Sequence, residues 1–176
     1  MLYFIHGYQS SPTGDKATLL QRTLHAMPIA YHTGPCEDLE IATALRRISE
    51  IIRDDDHVVL IGSSLGGFLA ASTALSHPSV KRLILLNPAI IPPEVDLGTI
   101  PEMPRRLLEE MRDPRLFEQR ISIPIIILRG INDDVVPDYW IHRFALAQDA
   151  TIHRYDDDHR FTKNLSRLPM MIAEML

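Results

Sequence analysis

Ser64 sits in Gly62-Ser63-Ser64-Leu65-Gly66, a G-x-S-x-G pattern. A serine hydroxyl attacks a carbonyl only when a base removes its proton. The glycines before and after Ser64 let the chain turn sharply without Cβ clashes. Only Ser64 has glycine at both offsets, so Ser64, and not Ser63, is the candidate nucleophile. Upstream, His57-Val58-Val59-Leu60-Ile61 reads as a buried strand, and downstream Gly67–Leu75 is small and helix-compatible. A strand turning directly into a helix presents the serine at the top of a sheet. It also aims the first free helix N–H, that of Leu65, at a developing oxyanion. Gly and Ser are also common turn residues. A phosphate-cradling loop fits poorly, because neither the Lys-Ser/Thr ending nor the G-x-G-x-x-G spacing is present.

The base must itself be oriented by an acid, and the chain order expected after a strand–serine–helix turn is Ser, Asp/Glu, His. The apolar run Pro124–Leu128 leads into Arg129-Gly130-Ile131-Asn132-Asp133-Asp134-Val135-Val136-Pro137. An acid in that loop stands on the same side of the sheet as Ser64. Asp133 is favoured; Asp134 competes, but it better suits a helix N-cap ahead of Pro137. Further on, Asp156-Asp157-Asp158-His159-Arg160-Phe161 lies between the last strand and the last helix. His159 is the candidate base. The other histidines have structural explanations: His6 and His32 end early strands, His57 opens the third strand, His25 and His77 lie near helix ends, His142 is on a helix and His153 is within a strand. A metal site from His153, His159 and Asp156–Asp158 is the alternative use of this segment. The three acids also place negative charge beside the imidazole and favour its cationic form.

These residues need a scaffold. Strands are expected at Leu2–Ile5, Ile29–His32, Val58–Ile61, Arg82–Leu86, Ile123–Leu128 and Thr151–Tyr155. Helical patterns lie between most of them. Asp38–Arg53 places Ile41, Leu45, Ile48 and Ile52 on one stripe, and Pro137–Gln148 and Phe161–Leu176 are amphipathic. The alternation predicts an α/β fold: an open, mostly parallel six-stranded sheet with helices on both faces. Ligands of such sheets sit beyond the carboxyl ends of the strands. The loop His6-Gly7-Tyr8-Gln9-Ser10-Ser11-Pro12 then lies beside Ser64. Tyr8 supplies a second oxyanion N–H, and Gln9 can offer its amide to a substrate.

At 176 residues, with 45% hydrophobic content, the chain suits one domain with a real core. The only sizeable insertion is at about 91–120, with Pro92, Pro93, Pro101, Pro104 and Pro114 and a helical pattern near Met103–Met111; a lid and a crossover helix are both open readings. A net charge of −5 with scattered Lys and Arg argues against nucleic acid as a partner. Cys36 is the single cysteine, followed by two acids that disfavour a thiolate, and reads as structural. No run has the length of a membrane span or of a signal h-region, so a cytoplasmic protein is expected.

With these residues in place, the chain resembles the α/β-hydrolase superfamily and, more narrowly, the small YqiA-type esterases. The resemblance spans nearly the whole chain. It rests on Tyr3–Pro12, Gly62–Gly67, Leu86-Asn87-Pro88-Ala89, Gly130–Val136 and His159-Arg160-Phe161. It implies Ser64 as nucleophile, Asp133 as acid and His159 as base, acting on small-molecule acyl esters or thioesters without a cofactor or metal. Proteins of this superfamily often carry glycines shortly before the histidine, where this chain has Asp156 and Asp157. The expectation is a serine hydrolase working through an acyl-enzyme. A non-catalytic binding protein on the same fold, or a lyase or acyltransferase using the same residues, are the alternatives.

Overall fold

The computed structural model describes residues 1–100 and 103–176; Pro101, one of the insertion prolines, lies outside the described residues. Strand β1 (Leu2–Ile5) begins the chain and leads through a loop to α1 (Asp15–Leu24) and a short β2 (Met27–Pro28). Helix α2 (Ile41–Ile52) precedes β3 (Val58–Ser63), which turns at once into α3 (Leu65–Ala74). Strand β4 (Val80–Leu86) is followed by the insertion with α4 (Arg105–Met111) and α5 (Arg115–Glu118). Then come β5 (Ile125–Gly130), α6 (Asp138–Gln148), β6 (Thr151–Tyr155) and α7 (Leu168–Ala173).

The six strands form one sheet in the order β2-β1-β3-β4-β5-β6. Every pairing is parallel, with Phe4 opposite Ile61, Ile61 opposite Ile84 and Ile84 opposite Ile126. Alternate residues therefore feed opposite faces. Phe4, Ile61, Ile84, Leu86 and Leu128 pack with Ala17 and Leu20 of α1 and with Leu168, Met171 and Ile172 of α7. Ile5, Leu60, Leu83, Leu85 and Ile127 pack on the other face against α2, α3, α4 and α6. Helix α3 is buried from Leu65 to Thr73, which explains why it is apolar all round and not amphipathic.

Two sequence expectations need correction. The second strand is Met27–Pro28, not Ile29–His32. Ile29 still donates its N–H to Phe4 O at 2.8 Å, but the chain then leaves the sheet, and Ile29 and Tyr31 are buried as core side chains. His32 consequently lies in a loop. The last helix starts at Leu168, after a single 3-10 turn at Leu165–Arg167, and not at Phe161. Phe161 has φ 57° and cannot continue a right-handed helix.

The insertion is tied down on both sides. Leu107, Leu108, Met111 and Leu116 are buried in the core. Glu110 accepts from Ile41 N–H at 2.8 Å, and Arg106 donates to Leu39 O at 2.8 Å. Gln148 of α6 donates to Leu116 O at 2.7 Å and accepts from Ile121 N–H at 2.8 Å. This segment covers the sheet between α2 and α6.

Candidate active site

Ser64 stands between the last residue of β3 and the first of α3, with φ 54° and ψ −118°. A non-glycine residue adopts that backbone only where its surroundings enforce it. The enforcement is visible. Ser64 N–H donates to Leu86 O at 2.9 Å, and Ser64 O accepts from Gly67 N–H at 2.9 Å and Ala89 N–H at 3.0 Å. The flanking glycines serve close approach. A Cβ on Gly62 would lie 2.4 Å from Gly66 O, and one on Gly66 would lie 2.1 Å from Ile5 O. The motif thus reads as a serine in a left-handed turn between two backbone contacts that no side chain can enter.

Asp133 lies in the loop after β5, and its side chain is fully buried. One carboxylate oxygen, Oδ1, accepts from Val135 N–H at 2.8 Å and Val136 N–H at 3.0 Å. The other, Oδ2, lies 3.0 Å from His159 Nδ1. A carboxylate only accepts, so Nδ1 carries the proton and Nε2 holds the free lone pair. Nε2 is 3.1 Å from Ser64 Oγ, whose hydroxyl donates to it. Burial pushes the Asp133 carboxyl up; the hydrogen bond and charge of His159 and the two N–H groups outweigh this and hold it below the ordinary carboxylate value. Asp134 is exposed and does not cap α6, whose N-cap residue is Pro137.

The acids before His159 build its loop. Buried Asp157 accepts from the N–H groups of Asp158, Lys163 and Asn164 at 2.8–3.0 Å and from the Asn164 side chain at 2.9 Å. Asp158 Oδ1 accepts from Arg160 N–H at 2.9 Å and Thr162 N–H at 3.0 Å. Asp156 is exposed and engages Lys163 and Asn132. These carboxylates stand in for the missing helical turn and keep Phe161 in its left-handed turn. His153, on the exposed edge strand, does not join them, and the described residues contain no group of His, Cys, Asp and Glu arranged to hold a metal.

Two buried residues to which the sequence reading gave no role join these parts. Asn87, directly after β4 and with φ 42°, donates to His159 O at 3.1 Å and Asp158 O at 3.2 Å. Its Oδ1 accepts from Gly130 N–H at 2.9 Å. Arg129, near the end of β5, places Nη1 2.6 Å from Asp133 Oδ2. Asn87 stands in the Leu86-Asn87-Pro88-Ala89 motif, whereas the only sequence signal for Arg129 is a polar residue at the end of an apolar strand.

The loop after β1 closes the other side. A Cβ on Gly7 would lie 3.2 Å from Ser64 Cβ, so this loop runs against the serine. Tyr8 and Gln9 line a recess of about 160 Å³ together with His6, Tyr31 and Leu39. His6 stacks on Tyr31 at 4.4 Å, its Nδ1–H donates to Gly7 O at 2.9 Å, and burial keeps its pKa low. Gln9 takes a left-handed turn, φ 54°, and is exposed at the mouth. Leu65 opens α3, so its N–H has no intrahelical acceptor.

Known proteins share this framework. Palmitoyl-protein thioesterase ABHD10, mitochondrial, of Pongo abelii is 25% identical over 204 residues, covering 90% of this chain and 66% of that protein. The chain thus spans just under two thirds of that relative. The ferulic acid-bound Est1E of Butyrivibrio proteoclasticus superposes with a TM-score of 0.79 at 19% identity, over 99% of this chain and 87% of that one. The monoacylglycerol lipase of Paleococcus ferrophilus gives a TM-score of 0.77 at 17% identity, over 99% and 92%. The sheet order and these superpositions identify the α/β-hydrolase fold. The model of the uncharacterised protein family UPF0227 matches residues 1–175, and the chain belongs to that family.

Proposed function

We propose that the chain is a serine hydrolase that cleaves small carboxylic esters or thioesters through an acyl-enzyme. The observation that carries this reading is the relay from Asp133 Oδ2 to His159 Nδ1 at 3.0 Å and from His159 Nε2 to Ser64 Oγ at 3.1 Å. Ser64 Oγ attacks the carbonyl carbon while Nε2 takes its proton. Asp133 stabilises the imidazolium that forms, and the imidazolium then protonates the leaving alcohol or thiol. The Leu65 and Tyr8 N–H groups receive the oxyanion, and Gln9 lies where a bound substrate would pass. Water, activated by the same histidine, releases the acid. The thioesterase named among the relatives supports including thioesters.

Ser64→Ala tests this. Hydrolysis of p-nitrophenyl acetate should fall by about three orders of magnitude or more, the remainder coming from binding and the oxyanion donors. A fluorophosphonate should label the native chain and spare the variant. Near-native turnover in Ser64→Ala, with loss in Ser63→Ala, would move the nucleophile and end this reading.

A further inference from the structure

We propose that Arg129 is a positioning residue that holds Asp133 and sets the pH range over which His159 can act as a base, through the carboxylate oxygen the two share. This depends on the reading of Ser64, His159 and Asp133 given above. Arg129 Nη1 lies 2.6 Å from Asp133 Oδ2, and the two side chains are 4% and 0% exposed. The same oxygen lies 3.0 Å from His159 Nδ1. One buried oxygen thus faces a guanidinium on one side and the imidazole on the other.

A guanidinium keeps its charge at every working pH. With His159 neutral, Arg129 already balances the Asp133 charge, which a buried carboxylate requires. When a proton reaches His159, the new cation shares its counter-ion with a permanent one. Like charge disfavours the charged form of an imidazole. Arg129 therefore keeps His159 available as a base at lower pH than Asp133 alone would allow.

The remaining contacts fix where this charge sits. Arg129 Nε lies 3.2 Å from Asp138 Oδ1 of α6, and Nη1 lies 3.4 Å from Asn87 Oδ1. Asp138 is half exposed and also pairs with His142 at 3.1 Å and Arg154 at 3.4 Å. Asp138 thus draws part of the Arg129 charge outward. Asp157, Asp158 and Arg160 flank His159 along its loop, and Lys16 of α1 donates to Arg160 O at 2.7 Å. Asp157, Asp158, Arg160 and Lys16 are the same in every variant below.

The test is the pH profile of kcat/KM for p-nitrophenyl acetate, across roughly pH 5 to 8, in the native chain, Arg129→Met, Arg129→Lys and Asp138→Asn. Arg129→Met should move the acidic limb up by about one unit. Arg129→Lys should keep the limb within about 0.3 unit of native while lowering kcat, because one ammonium cannot span Asp133, Asp138 and Asn87. Asp138→Asn removes the outward pull and should move the limb down. A loss in Arg129→Met that is equal at every pH, or an unmoved limb, overturns the proposal. Should Arg129→Met fail to fold, Asp138→Asn decides alone: a lowered limb supports the proposal, and an unchanged or raised one overturns it. An inactive Ser64→Ala beside unmoved limbs refutes this inference only, whereas an active Ser64→Ala refutes the underlying reading as well.

Discussion

Asp133 does four things with two oxygens, and this makes it the most exacting side chain of the site. It holds two loop N–H groups, the imidazole and a buried guanidinium. An amide in its place can present a donor where His159 needs an acceptor, which reverses the tautomer that frees Nε2. Asp133→Asn should therefore cut kcat by about 10⁴-fold, whereas exposed Asp134→Asn should leave kcat within about twofold of native. Steady-state kinetics on both variants checks this, and the reverse pattern would transfer the role to Asp134. The sequence names Ser64, Asp133 and His159 because each lies in a short motif after a recognisable strand. It gives no role to Asn87, although that residue stands in one of the motifs, and none to Arg129. Asn87 meets His159 across 72 positions of chain, and no local pattern encodes a contact of that span.

At the scale of elements, strand and helix periodicity locates β1 and β6 to the residue, because the run Leu2–Ile5 stops at His6-Gly7 and the run Thr151–Tyr155 stops at the acids Asp156–Asp158. It misplaces β2, where a two-residue edge pairing carries almost no pattern and the buried Ile29 and Tyr31 look more strand-like than Met27 and Pro28. It also extends the last helix back to Phe161, since apolar spacing cannot reveal that Asp157 and Asp158 take the N–H groups a helix would use. The acids before His159 thus have a structural task beside the negative charge they carry. Asp157→Ala leaves the N–H groups of Asp158, Lys163 and Asn164 without their acceptor. Losing that buried cap should cost roughly 2–4 kcal/mol of stability. It should also lower kcat, because Asn87 grips the same loop at Asp158 O and His159 O. Thermal unfolding and turnover measured together would show it. Unchanged melting would mean that the loop holds its shape without Asp157.

For the whole molecule, the decisive feature is how little chain lies above the sheet. The insertion between β4 and β5 is held to α2 through Arg106 and Glu110 and to α6 through Gln148, with Leu107, Leu108, Met111 and Leu116 buried beneath it. Residues committed to that cover are not free to swing over Ser64 or to wall a long tunnel. The recess beside the Gly7–Gln9 loop is about 160 Å³, small against the several hundred Å³ that enclose a drug-sized ligand. A chain so built should favour short or medium acyl groups presented in water, without activation at a lipid surface. The measurement is kcat/KM across p-nitrophenyl esters from acetate to palmitate, above and below the micellar concentration of the longer ones. The expected curve peaks at short or medium chains and passes through the micellar threshold without a jump. A steady climb to palmitate, or a jump at that threshold, would show that the segment between β4 and β5 opens far more than its contacts with α2 and α6 allow.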